Sequence, residues 1–481
     1  MKKIIPLIVI FIFTLNSSRL FADSLPKFNV GGKFYFNLAV PESSSEYSVD
    51  NLPHGNGNKN HIDGDNSFIT DSYLDFLFMD KADTGLLYGA RVGVMAESSR
   101  QSYYKYDNSL KIIDKKKQES VLVRRAYIFT EKSNLGRFEF GDVDSASKKL
   151  KFDATYRFGG TGGIAGKWWK YVNIPDFGLQ YDPAKLDGAD DCVTYYAGND
   201  VRNCNGKGNM GFIIRPDLPI SHGYNDVSGA GKFDDTRTLL RFSFYSPRIY
   251  GFQYGASYAL DSGNRGSSYF DNSDESFYNN DVEDIYDFGL NYVKQFGKLG
   301  LAFSLTSEQA NIDNQALINN NNAYLRKDLS AYSLGSYIFY GNFSISGSYG
   351  VWGDSLMMVN SSIANSEDNY RDSDASYFTA AIGYQFGPYK IGLSNLTSEY
   401  REQEFSLYSV ALDYRITKYY SLFAELNMYE FDSKDHKITG SPSFFETKNN
   451  KGEVLLLGAK IEFGDYDSAS QILLDTSTTT Y

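Results

Sequence analysis

The sequence predicts an all-β fold, a transmembrane antiparallel β-barrel of about sixteen strands. Three observations predict it. Apolar residues recur with a period of two in segment after segment, and those segments are joined alternately by short turns and long polar connections. After the first residues, no stretch approaches the roughly 20 apolar residues that a transmembrane helix needs. A sheet in lipid must satisfy every backbone donor and acceptor internally, and it can do so only by closing on itself.

The N-terminus has Lys2 and Lys3, an apolar run from Ile4 to Leu15, and a short polar stretch ending at Ala22. That is the layout of a secretory signal peptide over residues 1–22, so export with cleavage after Ala22 is expected. The barrel is then expected over 23–463, with 464–481 as a C-terminal extension.

The first mature segment sets the period. From Phe28 to Val40 every even position is apolar or Gly, while the odd positions include Asn29, Lys33 and Asn37. Such a strand has two unlike faces. The alternation returns in Leu74, Phe76 and Phe78, and in Tyr88, Ala90, Val92 and Val94. Later copies include Phe252, Tyr254, Ala256 and Tyr258, then Tyr286, Phe288, Leu290 and Tyr292, then Leu299, Leu301 and Phe303. Phe343 and Ile345, Phe378 and Ile382, Tyr408 and Val410, and finally Leu455 to Phe463 continue it.

Short turns fall at Asp80, Ser246, Gln295, Phe339, Phe386 and Ile416. They alternate with polar connections over 41–66, 98–118, 142–234, 262–281, 310–327, 353–374 and 432–451, the stretch 398–403 being a short exception. Tight turns on one rim and long loops on the other describe a bacterial outer-membrane barrel. Its outward rows of Phe, Tyr, Leu and Val would face lipid or a neighbouring subunit, and its inward Asn, Ser, Gly, Arg, Asp and Glu would face water. A soluble sandwich or propeller would also alternate, but so polar an inner face would make an unusual protein core.

Without residues 1–22 the chain holds 44 basic and 59 acidic residues, a net charge of −15, which speaks against nucleic acid as a partner. Cys192 and Cys204 are the two cysteines. In an oxidising compartment they suit one loop-closing disulfide, with two free thiols as the alternative. The four histidines, His54, His61, His222 and His436, all fall in expected connections, none beside a strand nucleophile or carboxylate, so no enzyme activity is expected. His54 and His61 read either as solvated loop residues or as a pair of metal ligands, the former fitting better; no metal and no cofactor are expected.

Two stretches then carry a resemblance. "VRRAYIF" at Val123 to Phe129 with "LGRFEFGD" at Leu135 to Asp142, followed by "FYSPRIYGFQYGASY" at Phe244 to Tyr258, resemble successive strands and a hairpin of the general bacterial porins. The resemblance implies a homotrimer in outer-membrane lipid, with the early strands at the subunit contact. It also implies a water-filled channel for passive diffusion of small hydrophilic solutes and ions. In that family the third loop, here 142–234, folds into the lumen and narrows it, with acids on the loop facing arginines on the wall. "PDFG" at Pro175 to Gly178 is similar to a family turn and makes Asp176 the candidate loop acid, a solvated surface Asp being the alternative. By the motif match Arg124 and Arg237 are the eyelet arginines.

Strand parity alone puts Lys33, Arg91, Arg124, Arg137, Arg237 and Arg241 on the inward face. Asp71 and Asp75 stand where many family members carry a basic residue. The alternative for each arginine is a structural ion pair with a lumen acid such as Glu139. A substrate-selective channel, or a surface adhesin or structural barrel with acidic loops, are the competing functions.

One repeat remains. "FEFGDVDSAS" at Phe138 to Ser147 returns as "IEFGDYDSAS" at Ile461 to Ser470. Strand count puts the two copies on opposite rims, so they are expected to share a strand-exit sequence: outward aromatic, Gly for the bend, Asp and Ser for turn hydrogen bonds.

Overall fold

A computed structural model describes residues 26–43, 66–97, 120–154, 158–172, 212–222, 239–261, 282–312, 324–355, 375–400, 403–432 and 449–464, with short strand fragments in the intervening connections. The expected signal peptide over 1–22, the residues beyond Gly464, Asp176, Arg237, Cys192 and Cys204 lie outside the described residues.

Sixteen antiparallel strands form one closed barrel. They are β1 (Lys27–Ser43), β2 (Ser67–Lys81), β3 (Leu87–Glu97), β4 (Ser120–Lys132), β5 (Gly136–Val143), β6 (Leu239–Tyr245), β7 (Phe252–Asp261) and β8 (Val282–Phe296). The second half comprises β9 (Leu299–Ile312), β10 (Leu329–Tyr340), β11 (Phe343–Gly353), β12 (Ala375–Phe386), β13 (Tyr389–Tyr400), β14 (Gln403–Arg415), β15 (Tyr420–Asp432) and β16 (Asn450–Phe463). β16 closes on β1 in register from Gly32 opposite Phe463 to Ser43 opposite Gly452. Closure leaves no unpaired edge. The expected strand count and the alternation of turns hold.

The short rim is made by turn chemistry. Two-residue loops follow β8 at Gly297 and β10 at Gly341, with φ of 60° and 58°, and nothing lies within 4 Å of where a Cβ would be. Glycine is needed there for its backbone alone, because a positive φ at the first loop residue matches the twist of a two-residue hairpin.

Phe28, Phe34 and Phe36 on β1, Phe242 on β6, Phe288 on β8, Phe378 on β12 and Tyr408 on β14 are exposed on the outer face, as parity requires. The inner face differs from the expected water-facing surface. Towards the long-loop rim it is apolar: Ala39, Ile69, Trp352, Leu396, Phe405 and Leu456 join Ile164, Trp168, Tyr171 and Ile213 of the β5–β6 connection in one buried cluster. The reason is local. In "EVLLLGAK" at Glu453 to Lys460 both parities are apolar, so the period-two signal flattens where the inner face is dry.

The first copy of the repeated decapeptide is described in full, the second only over Ile461–Gly464. Glu139 and Glu462 each pair with an inward cation, Arg137 at 2.7 Å and Lys33 at 2.7 Å respectively. Gly141 and Gly464 follow with φ of 131° and 64°. One copy closes β5 at the long-loop rim and the other closes β16 at the short-turn rim, which excludes a single shared site.

Candidate pore lining

The chain leaves β5 into a short helix, α1 (Ala146–Leu150), capped by the Ser145 hydroxyl, which accepts from the Lys148 N–H at 3.2 Å. The helix lies against strand side chains. The Ala146 N–H donates to Ser257 Oγ at 2.8 Å, and Ser147 Oγ donates to Asp287 and Glu308, each at 3.2 Å. Farther on, the Phe152 N–H donates to Ser304 Oγ at 2.8 Å, and Ser346 Oγ donates to the Ala154 carbonyl at 3.2 Å.

The segment 158–172 continues past the last strands. Gly160 N–H donates to Asp413 at 2.7 Å, Thr161 N–H to Glu425 at 2.6 Å and Gly163 N–H to Glu425 at 3.3 Å. Burying a carboxylate is costly unless its oxygens are satisfied, and the glycine-rich turn supplies the donors. Trp168 stacks between Phe405 (5.7 Å) and Tyr429 (6.1 Å), and Lys167 Nζ donates to the Tyr73 hydroxyl at 2.9 Å. The route therefore runs from β5 along the inner wall to β2.

The return leg takes the reverse course. Phe212 meets Phe431 edge-on at 4.9 Å, Ser398 Oγ donates to the Ile213 carbonyl at 2.8 Å, and Trp352 Nε1 donates to the Asp217 carbonyl at 3.0 Å. At its end the Ile220 N–H donates to Glu308 at 2.8 Å.

Wall glycines mark the route. A Cβ on Gly335 would fall 1.7 Å from the Phe152 carbonyl oxygen, and one on Gly289 would fall 2.8 Å from that of Ala146. Only a bare backbone allows so close an approach. Gly335→Val is expected to dislodge residues 150–154 while β10 stays paired. Amide exchange in 146–154 should then quicken about tenfold or more, as for a segment losing its local protection.

The expected site residues separate into two groups. Lys33 (with Glu462 at 2.7 Å), Asp75 with Arg91 (3.6 Å) and Arg124 lie on β1 to β4. Arg137 is instead held near the short-turn rim by Glu139 at 2.7 Å and Glu131 at 3.1 Å, with its guanidinium 3.9 Å from the centre of the Phe129 ring. Arg241 is buried against Asp287. For these two arginines, and for Arg91 with Asp75, a structural ion pair is the observed arrangement.

Parity misses Arg125. The β3–β4 register slips by one residue, Gly93 facing Arg125 and Val94 facing Val123, so Arg124 is the extra residue of a bulge. Arg125 is buried with the Asp144 carboxylate, while the Arg124 guanidinium lies 5.7 Å from the centre of the Tyr73 ring. Burial disfavours the charged Asp144, yet Arg125 and Lys148 together hold its carboxyl well below the usual range. The double arginine was visible in the sequence; the bulge that turns both side chains inward was not.

The apolar cluster is also uneven. Among the described residues it has members on β1, β2 and β6 to β16, while on β2, β4 and β5 a separate small cluster of Leu77, Tyr127, Phe129 and Val143 packs instead. Asp75, Arg91, Arg124 and Arg125 lie on β2, β3 and β4, and all but Arg124 are buried.

A model of the Gram-negative porin family matches residues 9–434. The chain belongs to that family. This porin is 26% identical over 379 residues to an uncharacterized protein of Rickettsia felis, covering 70% of this chain and 76% of the relative. A second uncharacterized protein, from Rickettsia conorii, is 25% identical over 375 residues with the same coverage. Solved structures similar to the porin include the anion-selective porin from Comamonas acidovorans, at a TM-score of 0.47 and 13% identity over 91% of this chain and 100% of that one. OmpT of Vibrio cholerae, in its trimer form, gives 0.45 and 13% over 92% and 100%. Porin membership makes the barrel an outer-membrane channel protein.

Proposed function

We propose that this porin forms a narrow water-filled channel for passive diffusion of small hydrophilic solutes and ions, with the inner stretches 144–154, 158–172 and 212–222 limiting its bore. The observation that carries the reading is the uneven lining: among the described residues the large apolar cluster has no member on β3, β4 or β5, and β2, β3 and β4 put Asp75, Arg91, Arg124 and Arg125 on that side of the wall. Opposed charges beside a water-filled slot orient dipolar solutes. Export through cleavage of residues 1–22 belongs to the same reading.

We further propose a homotrimer with β1 and β2 at the subunit contact. Exposed Phe36 stacks there on exposed Phe68 at 5.5 Å, and exposed Phe28 on half-buried Phe76 at 6.3 Å, a surface that suits a protein neighbour as well as lipid. Purified protein in planar bilayers is expected to give stable conductance steps in groups of three, without saturation by any one sugar or amino acid. Saturation by one solute would favour a substrate-selective channel. A folded but silent barrel would overturn the channel reading in favour of a structural or adhesive role.

A further inference from the structure

Between β6 and β7 the short-turn rim carries an arginine-braced loop. The Ile249 N–H donates to the Phe252 carbonyl at 2.8 Å and the Phe252 N–H to the Ile249 carbonyl at 2.9 Å, which leaves Tyr250 and Gly251 as a two-residue turn. Both have positive φ, 52° and 97°. Asn-Gly is the usual pair in such a turn, and a tyrosine there bears the steric cost of its Cβ. The Tyr250 side chain is exposed, so no packing compensates. Arg248 does: Nη1 donates to the Gly251 carbonyl at 2.6 Å and Nη2 to Gln253 Oε1 at 2.8 Å, while Gln253 Nε2 donates to the Ser246 carbonyl at 3.0 Å.

A further bond goes beyond what the turn needs. Arg248 Nη2 also donates to Asn291 Oδ1 on β8 at 2.9 Å, and Asn291 Nδ2 donates to the carbonyl of Leu150, the last residue of α1, at 3.2 Å. Asn291 is buried, so its amide has these two partners and not bulk water. Burial lowers the Arg248 pKa, and among the described residues its hydrogen bonds go to neutral acceptors. A hydrogen bond from a charged donor is about twice as strong as one between neutral groups. An amide that accepts such a bond is polarised and donates more strongly at its other end.

The wall is shaped to receive that end of the helix. Cβ atoms on Gly255 of β7 and Gly289 of β8 would lie 3.0 Å and 2.9 Å from side-chain atoms of Leu150. Bare backbone lets Leu150 settle on the strands within reach of Asn291. Two residues on, the chain passes over Gly335, so the place of Leu150 sets the line along which 150–154 runs on the inner wall.

We propose that Arg248 is a positioning residue for the bore: from the short-turn rim it fixes, through Asn291, the line that residues 150–154 take within the lumen. The proposal rests on the channel reading above for its effect on conductance, and it names what sets the bore from the short-turn side.

The test compares three full-length variants with wild type by amide exchange and planar-bilayer conductance. Arg248→Met is expected to speed exchange in 146–154 about three- to tenfold, the weight of one hydrogen bond, and to raise the conductance step about 1.3-fold or more. Asn291→Asp separates this role from a simple turn brace. Its carboxylate still accepts from Arg248 but has no donor for the Leu150 carbonyl. A turn brace predicts unchanged or slower exchange; the positioning role predicts the same gain in 146–154 as Arg248→Met, with the turn amides of 249–254 unchanged. Gln253→Leu removes a partner of Arg248 within the turn and is expected to speed exchange in 249–254 alone.

Should Arg248→Met fail to assemble, Asn291→Asp and Gln253→Leu still carry the comparison. Wild-type exchange in 146–154 of folded Asn291→Asp would overturn the positioning role. Faster exchange with an unchanged step in conducting variants would overturn its effect on the bore. A folded barrel that never conducts, with exchange in 146–154 raised by both variants, would overturn the channel reading and leave the placement of 150–154 by Arg248 standing.

Discussion

Trp168→Ala is expected to raise single-channel conductance about two- to threefold while the sixteen-stranded wall still assembles, because the change empties a packed site within the lumen. The indole is fully buried, lies within 13° of parallel to Phe405 and 22° to Tyr429, and donates from Nε1 to the Ile164 carbonyl at 3.3 Å. Truncating such a side chain costs about 3–5 kcal/mol. That loss falls on the segment and not on the barrel, since the β14–β15 ladder from Glu404–Asp432 to Arg415–Ser421 is made by the strands themselves. The hydrogen bonds of Thr161 to Glu425 would still tether one end, so the segment should loosen without leaving. Bilayer recordings check the conductance, and heat-modifiable gel mobility checks the barrel. Unchanged step size in a well-assembled variant would show that this aromatic stack does not limit the bore.

Legibility in the sequence followed the strength of the physical constraint. Lipid enforces an apolar outer row, so Phe28 to Val40 and the later strands could be read from parity, and the Gly297 and Gly341 turns from their hairpin positions. The inner face obeys two masters. Where it meets water it is polar and alternates against the outer row; where it holds the inner segment it is apolar, and Leu456 becomes indistinguishable from Leu455 or Leu457 by period. Arg125 escapes a parity reading because parity assumes an unbroken ladder, and the β3–β4 bulge breaks it. The glycines under the segment gave a usable signal: inward Gly289 and Gly335 sit at positions where a strand gains nothing from Gly unless another backbone passes close by.

The second large effect belongs to Asp217→Ala. Lys151 Nζ is shared among the Asp217 carboxylate, Asp153 at 3.0 Å and the Pro216 carbonyl at 2.6 Å, and it joins the outgoing leg of the segment to the returning one. Burial works against charge on both partners, but their attraction wins: Asp217 is held well below the usual carboxylate range and Lys151 well above the usual lysine range. A carboxyl with a depressed folded value stabilises above its unfolded pKa of about 3.9 and loses that contribution only as pH falls below it. A lysine with a raised value keeps its contribution below about 10.4. Between pH 5 and 8 neither group titrates, so this pair should put no pH-dependent step into conductance. Removing Asp217 alone leaves the ammonium in a dry site with two of its three partners, at a cost of about 3–5 kcal/mol. The expected result is protease cleavage within 144–154 or 212–222 of an otherwise resistant barrel. Lys151→Met combined with Asp153→Asn and Asp217→Leu removes all three charges and should restore most of the resistance, since no buried charge is then left to desolvate. If the triple variant is cut as readily as the single one, the ion cluster is needed for its geometry and the desolvation argument fails.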